Sequence, residues 1–160
     1  MFKEEKYVSM DFIEKNTEKF KRLRNKDISK FVERKGNLNY LSWAKAWELL
    51  KEECNDVSYT VYENEKGYPY FTDGRYVWVK VGVTVDGVEH KVILHVMNNR
   101  NLPVAVDVVD IGQINKTIMR CLTKAIAFHG IGLGLYIGED IQEKPKISSD
   151  FKIEFNEEMK

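Results

Sequence analysis

The sequence predicts an α+β protein: a three-stranded antiparallel β-meander with a long helix packed on it, preceded by N-terminal helices. Two observations lead to this prediction. Hydrophobic residues alternate with period two between Val57 and Val96, and the turn signal Asp86-Gly87 divides the longest alternating run. Between Asp110 and Gly130 apolar residues instead recur every three or four positions, as on an amphipathic helix. Helices that segregate to one face of an antiparallel sheet define the α+β class.

Length and composition favour one domain with extensions. A chain of 160 residues, 43% of them hydrophobic, can bury a sizeable core. We divide it into an N-terminal helical segment (1–29), a central domain (30–141) and an acidic, flexible tail (142–160). The 25 basic and 25 acidic residues balance, so any electrostatic role must be local.

The same composition indicates a compartment. No apolar run approaches the roughly 18 residues that a membrane span requires, and the N-terminus lacks the apolar region of a signal peptide. The two cysteines provide neither a disulfide framework nor a zinc-binding spacing. These features predict a soluble cytoplasmic protein with no membrane partner.

The N-terminal part of the chain is predicted to be helical. Residues 9–35 are highly charged and carry apolar residues at near-helical spacing, with Ser9 as the N-cap. Within them, a second short helical segment is expected to begin at Asp27 and to stop at Gly36. Ser42 caps the next helix, and the side chains expected on its buried face are Trp43, Ala46, Trp47, Leu49 and Leu50.

Three strands follow, at residues 57–63, 75–85 and 88–96, with a polar and aromatic loop at 64–74. The second strand alternates strictly, so its valines and its larger side chains lie on opposite faces. The valine face consists of Val77, Val79, Val81, Val83 and Val85. The other face carries Tyr76, Trp78, Lys80 and Thr84.

The last helix is predicted from Asp110, its N-cap, to Gly130, a glycine placed to end it as the C′ residue. One apolar face is suited to packing on the valine face of the sheet. It consists of Ile111, Ile114, Ile118, Leu122, Ala125 and Ile126.

Lys116, Arg120 and Lys124 lie four residues apart on this helix and form one row of cations, with no acidic residue from 111 through 138. Each step along the row is about 6 Å, because an α-helix rises ~1.5 Å per residue. Successive phosphates of one nucleic-acid strand have a comparable spacing, so the row can bind a backbone without reading bases. Two alternatives remain: a solvated helix face, although like charges at this spacing repel, and a salt bridge to another subunit.

Further candidate contacts are weaker. Tyr76, Trp78 and Lys80 form an aromatic and cationic strand face of the kind that stacks single-stranded nucleic acid, but a second packed layer explains Trp78 equally well. The loop sequence "YPYF" is similarly ambiguous between a stacking platform and an oligomer contact. In "RKGN", Arg34 and Lys35 stand beside a glycine, just before Tyr40.

Signals for an enzyme or a cofactor are poor. His90 and His95 are five residues apart on a strand and therefore point to opposite faces, which disfavours a shared metal ion. Cys54 and Cys121 have no neighbours that would activate a nucleophile and are expected to be buried. "GIGLGLYIG" lacks the Gly-Lys-Ser/Thr ending of a phosphate-binding loop. We expect no catalytic residues, no metal and no cofactor.

Three stretches nevertheless resemble a known family: "YLSWAKAWELLKE", "YVWVKVGVTVDGVEHKVILHV" and, above all, "INKTIMRCLTKAIAFHGIGLGLY". They are similar to the Rad-fifty-two-like single-strand annealing proteins, and most similar to the Sak-type phage recombinases. The resemblance covers roughly residues 30–140. It implies a Rad-fifty-two-like β-β-β-α core in the central domain, which would be the single-strand annealing domain.

The resemblance also implies a function. Members bind single-stranded DNA, anneal complementary strands without ATP, and assemble into rings or helical filaments, here in the cytoplasm of a bacterial host. By position it assigns DNA binding to Lys116, Lys124 and the pair Arg34 and Lys35. Arg120 joins them by helical geometry, and the candidate set is completed by Arg100, Lys80 and Tyr40.

One departure and two alternatives qualify this assignment. The basic pair of the family is reduced here to Thr123-Lys124, and Ala127 stands at a further basic position. In the tail, Phe151, Ile153 and Phe155 alternate with charged residues. Disorder is the default expectation for this segment, and the alternative is that it adds a strand to a partner such as a single-strand binding protein. An oligomeric protein-binding scaffold on the same fold is the alternative function, and a metal-dependent nuclease is third.

Overall fold

The computed structural model describes residues 9–137. In chain order its helices are α1 (Met10–Arg24), α2 (Trp43–Glu53) and α3 (Ile111–Phe128). Its strands are β1 (Glu33–Lys35), β2 (Leu38–Tyr40), β3 (Val57–Val61), β4 (Phe71–Thr72), β5 (Val77–Val85) and β6 (Val88–His95). Short 3-10 turns lie at Ser29–Phe31 and Leu133–Leu135. All strand pairings between these elements are antiparallel, so the predicted α+β class is confirmed.

The helix α1 begins where the sequence predicts, because the Ser9 side chain accepts a hydrogen bond from the Phe12 backbone N–H. The last turn of α1 packs against the rest of the domain, because Leu23 is buried in the core. Ion pairs strengthen this attachment. The two carboxylate oxygens of Glu53 in α2 lie 2.7 Å from Nη1 of Arg22 and 2.7 Å from Nζ of Lys26. The Lys26 ammonium group lowers the pKa of the Glu53 carboxyl.

The prediction of a second helical segment between Asp27 and Gly36 is wrong. Only one 3-10 turn forms there, at Ser29–Phe31, and the chain then makes the hairpin β1–β2. Gly36 lies in the hairpin turn with φ +59, a left-handed conformation that glycine adopts at little cost. The glycine that was interpreted as a helix end therefore reverses the chain between two strands.

The main sheet is built around β5. The strand β6 pairs with one edge of β5 along its length, and β3 and β4 pair successively with the other edge. The strands β3, β5 and β6 correspond to the three predicted strands, whereas β4 lies inside the segment that was expected to be a loop. Every valine of the predicted buried face is at most 1% exposed: Val77, Val79, Val81, Val83 and Val85.

The helix α3 packs on this valine face, and α2 packs beside α3. Most residues of the predicted buried faces are buried, but Trp47 is only half-buried, and Thr117 and Ala127 are buried although they were not predicted to be. Trp43 is 43% exposed and Ile111 is 71% exposed, although both were expected on buried faces. Helical periodicity assigns a residue to a face but does not show where the opposing surface ends.

The two cysteines are buried, as predicted. Burial raises the pKa of the Cys121 thiol to about 11, and its Sγ donates a hydrogen bond to the carbonyl oxygen of Val92, 3.2 Å away. The tail of residues 142–160 and the features predicted in it lie outside the described residues.

Candidate nucleic-acid interface

The helix α3 is fixed at both ends by local interactions. At its start, the Asp110 carboxylate accepts from the backbone N–H of Gln113 at 2.8 Å, and the Gln113 side-chain oxygen accepts from the backbone N–H of Asp110 at 3.1 Å. This reciprocal pair is a capping box. Past its end, Gly130 has φ +127 and confirms the predicted C′ residue. The rotation of α3 about its axis is set by the side chains buried against the sheet and α2: Ile114, Ile118, Cys121, Leu122, Ala125 and Ile126.

Cations project from the opposite side of α3. Lys116 and Arg120 are exposed, and Lys124 is half-buried with its Nζ 4.4 Å from the centre of the Tyr136 ring. We call these three residues the α3 cationic row. Among residues 9–137, neither Lys116 nor Arg120 takes part in an ion pair, and the sequence from 111 through 137 contains no Asp or Glu. Lys116 and Arg120 are therefore two exposed cations that no acidic side chain of residues 9–137 pairs with.

The hairpin β1–β2 carries the second group of predicted residues. Arg34 and Lys35 are exposed on β1, and the Lys35 ammonium lies 4.1 Å from the centre of the Tyr40 ring. The base of the hairpin packs on the turn after α3, because a Cβ at Gly132 would be 3.3 Å from the side chain of Leu41. The hairpin is therefore attached to the structure at the C-terminal end of α3.

Lys80 lies on another surface. Its neighbours Val79 and Val81 are buried beneath α3, so Lys80 projects from the opposite face of the sheet, with its Nζ 4.9 Å from the centre of the Tyr62 ring. Within one subunit it cannot share a surface with the α3 cationic row. Arg100 is exposed in the loop after β6, where its backbone N–H donates to the Asn98 side chain at 2.8 Å.

The face of the sheet that carries Lys80 also holds aromatic side chains. The rings of Phe71 and Trp78 stack with their centres 6.4 Å apart, and the Tyr62 hydroxyl donates to the Glu89 carboxylate at 2.8 Å. Trp78 is half-buried, and Ile93 across the strand pair from Lys80 is 62% exposed. The face is thus open at β6, which the alternating pattern alone did not show.

Sequence reasoning missed Tyr136 as a neighbour of the row. Gly132 has φ +78, and this left-handed residue turns the chain after α3 so that Tyr136 returns to Lys124. The glycines of "GIGLGLYIG" were the available signal, since glycine adopts left-handed backbone conformations at little cost.

Two of the three histidines lie on opposite faces of the main sheet. His90 lies opposite Val83 and His95 opposite Trp78, on the two faces of the sheet as predicted. His129 is buried and its Nε2 donates to the Val83 carbonyl oxygen at 2.7 Å. Within the described ranges, no group of three His, Cys, Asp or Glu side chains is arranged to hold a metal ion, and no helix is long and apolar enough to span a membrane.

Fold and site together define an α+β protein in which the longest described helix packs on an antiparallel sheet and presents the α3 cationic row, within a stretch (111–137) that contains no Asp or Glu. The family model of the Sak single-strand annealing proteins matches residues 18–159. The chain therefore belongs to this family, which confirms the resemblance of its sequence. No curated protein and no solved structure matches the chain.

Proposed function

We propose that this protein binds single-stranded DNA and anneals complementary strands without ATP, as a homo-oligomeric ring or filament, in phage homologous recombination. Membership of a single-strand annealing family supports annealing as the reaction. The observation that supports the proposal for this chain is the exposure of Lys116 and Arg120 on α3, where neither forms an ion pair with any acidic residue of the described part of the chain.

The mechanism follows from where the charges lie. Cations spaced by about 6 Å along a helix can each contact a phosphate of an extended strand. Phosphate contacts hold the strand without contacting the Watson–Crick edges, so the bases stay free to pair with a complement. Binding of this kind is independent of sequence and weakens with salt, because each neutralised phosphate releases counterions.

The hairpin extends the proposed interface. Arg34 and Lys35 add two cations near the C-terminal end of α3, and the Lys35–Tyr40 contact offers an aromatic surface beside them. Lys80 and Arg100 remain candidates on other surfaces. They would reach the same strand only if neighbouring subunits bring their surfaces to it.

Several finer features belong to this proposal. They are the Rad-fifty-two-like arrangement of the core, the domain limits 1–29, 30–141 and 142–160, the cytoplasmic location, and recruitment of a single-strand binding protein through the tail. Each is an expectation from the resemblance or from the composition of the chain.

The test is the rate at which two complementary oligonucleotides anneal without ATP. In one variant, Lys116→Gln, Arg120→Gln and Lys124→Gln remove the charges of the α3 cationic row and keep most of each side chain. A matched control removes three exposed cations elsewhere, with Lys15→Gln, Lys21→Gln and Lys66→Gln. We expect fast annealing by the native chain and the control, and at least a tenfold slower rate in the row variant.

Other outcomes point to other sites or functions. Equal annealing by both variants would keep the function and move the site, first to Arg34, Lys35 and Arg100. No annealing by an intact oligomer of the native chain would favour the protein-binding scaffold. Cleavage of DNA that requires a divalent metal would instead indicate a nuclease.

A further inference from the structure

The main sheet has two free edges. In the part of the chain that the structure describes, β3 and β6 each pair with β5 alone, so they lie on opposite sides of the sheet. The free side of an edge strand carries backbone N–H and C=O groups that no strand of the same subunit uses, and these groups can pair with a strand of another chain. A further strand can therefore be added beside β3 or beside β6.

The register identifies the free backbone groups. In an antiparallel pair, residues that bond to the partner strand alternate with residues whose N–H and C=O point outward. The Val96 N–H donates to the Val77 carbonyl oxygen at 2.8 Å, and the Tyr62 N–H donates to the Lys80 carbonyl oxygen at 3.0 Å. Counting from these bonds, the outward residues of β6 are Glu89, Lys91, Ile93 and His95, and those of β3 are Val57, Tyr59 and Val61.

The charged side chains of β6 do not cover its free edge. Charged residues on an edge strand commonly prevent pairing, but Glu89 and Lys91 lean across β5, away from that edge. The Tyr62 hydroxyl donates to the Glu89 carboxylate at 2.8 Å, and the Lys91 ammonium lies 5.3 Å from the centre of the Tyr62 ring. Gly82 leaves room for this arrangement, because a Cβ there would lie 2.8 Å from Cδ of Glu89. The edge is left with apolar Ile93, which is 62% exposed.

The opposite edge of the sheet is uncharged. The sequence of β3 is VSYTV, which contains neither a charged residue nor a proline. Tyr59 is 49% exposed, and its ring makes a T-shaped contact with Trp47, with the ring centres 5.3 Å apart. Aromatic and β-branched side chains stabilise neighbouring strands when they pack across a strand pair. The edge at β3 therefore suits a strand such as β6.

We propose that β6 of one subunit pairs with β3 of a second copy of this chain and continues the sheet from subunit to subunit. The pairing rests on the proposed function in one respect, since it supplies the interface of the proposed homo-oligomer. Both strands run antiparallel to β5 and thus parallel to each other. A copy added in the same orientation is therefore joined through a parallel pair, whose hydrogen bonds are evenly spaced.

This contact has the symmetry that a ring or filament requires. It is heterologous, because each copy uses a different edge, and every added copy again offers one free edge. Copies joined in this way keep α3 on the same face of the continuous sheet. Their α3 cationic rows would then lie on one side of the assembly, where one DNA strand could contact many subunits.

Proline substitution at each edge tests the pairing. Ile93→Pro and Tyr59→Pro each remove an N–H that the sheet of its own subunit does not use, a position where edge strands tolerate proline. Ile93→Ala and Tyr59→Ala are matched controls that keep the N–H. The measurement is sedimentation velocity of the full chain without DNA over a range of concentrations. We expect the midpoint concentration of assembly to rise at least about tenfold in each proline variant and to stay within about threefold in the alanine variants.

A mixture of the two proline variants provides the second measurement. The Ile93→Pro chain keeps its β3 edge and the Tyr59→Pro chain keeps its β6 edge, so the two can form one heterologous contact and no more. We expect a dimer of one copy of each, at concentrations where either variant alone is monomeric. Should a proline variant not unfold cooperatively on heating, Ile93→Lys and Tyr59→Lys take its place with the same expected results, since an edge lysine also opposes pairing.

The outcomes separate this pairing from the proposed function. Assembly of the edge variants at native concentrations, or no dimer in the mixture, would overturn the pairing. Dimers of the Tyr59→Pro chain alone would indicate that β6 pairs with β6 about a two-fold axis, which refutes the heterologous contact. If the native chain assembles through these edges but anneals no oligonucleotides, the pairing stands and the proposed function fails.

Discussion

Replacing Lys116, Arg120 and Lys124 by glutamine should flatten the salt dependence of single-stranded DNA binding. For single strands, log K falls by about 0.7 per unit of log salt for each phosphate that a cation neutralises. The two exposed cations therefore contribute a slope of about 1.4, which rises to about 2.1 if half-buried Lys124 also contacts phosphate. When the salt concentration rises from about 50 to about 200 mM, the native chain therefore loses about sevenfold in affinity through these contacts at a slope of about 1.4. At a slope of about 2.1 the loss is about eighteenfold.

The assay is fluorescence anisotropy of a labelled oligo(dT) at four or more salt concentrations, at protein concentrations where the oligomer is constant. The control variant with Lys15, Lys21 and Lys66 changed to glutamine has the same net charge and should keep the native slope. Identical slopes for the native chain and the row variant would refute phosphate binding by α3. A shallower slope in both variants would show that net charge alone sets the affinity.

Four further predictions concern backbone strain, packing and the reactivity of a cysteine. Gly130→Ala should destabilise the fold by more than 2 kcal/mol, because its Cβ would lie 2.8 Å from Leu23 in the adjacent α1. Gly36→Ala, which meets only open space, should cost about 1 kcal/mol in urea unfolding. Leu122→Ala should cost about 2–5 kcal/mol, whereas exposed Ile111→Ala should stay within about 0.5 kcal/mol. Iodoacetamide at pH 8 should not alkylate Cys121 in the folded protein, since its thiol has a pKa of about 11.

The helix boundaries could be predicted where a local signal determines them. Ser9, Ser42 and Asp110 all cap helices through a side chain that accepts from a backbone N–H three residues later. Such contacts depend on four consecutive residues and not on the rest of the fold. The hairpin around Gly36 could not be predicted in this way, since glycine with positive φ serves helix ends and strand turns alike.

The candidate site also combines features that local sequence patterns predict with features that depend on contacts between distant residues. The α3 cationic row follows from helical periodicity, and the position of Lys80 on the far face follows from strand parity once α3 is known to cover the valines. The proximity of Tyr136 to Lys124 depends instead on the left-handed Gly132 and on its packing against Leu41. Those contacts join residues distant in sequence, so no local pattern reports them.

The distribution of charges explains how a neutral chain can carry a cationic surface. Two acids of the described part pair with cations that attach α1 to the domain: Glu53 binds Arg22 and Lys26, and Asp86 binds Lys19. None of these acids is on α3. If cations were placed only to balance the chain, Lys116 and Arg120 would lie beside carboxylates, since oppositely charged neighbours four residues apart stabilise a helix. Their separation from the acids costs that stabilisation, and the proposed phosphate binding would offset it.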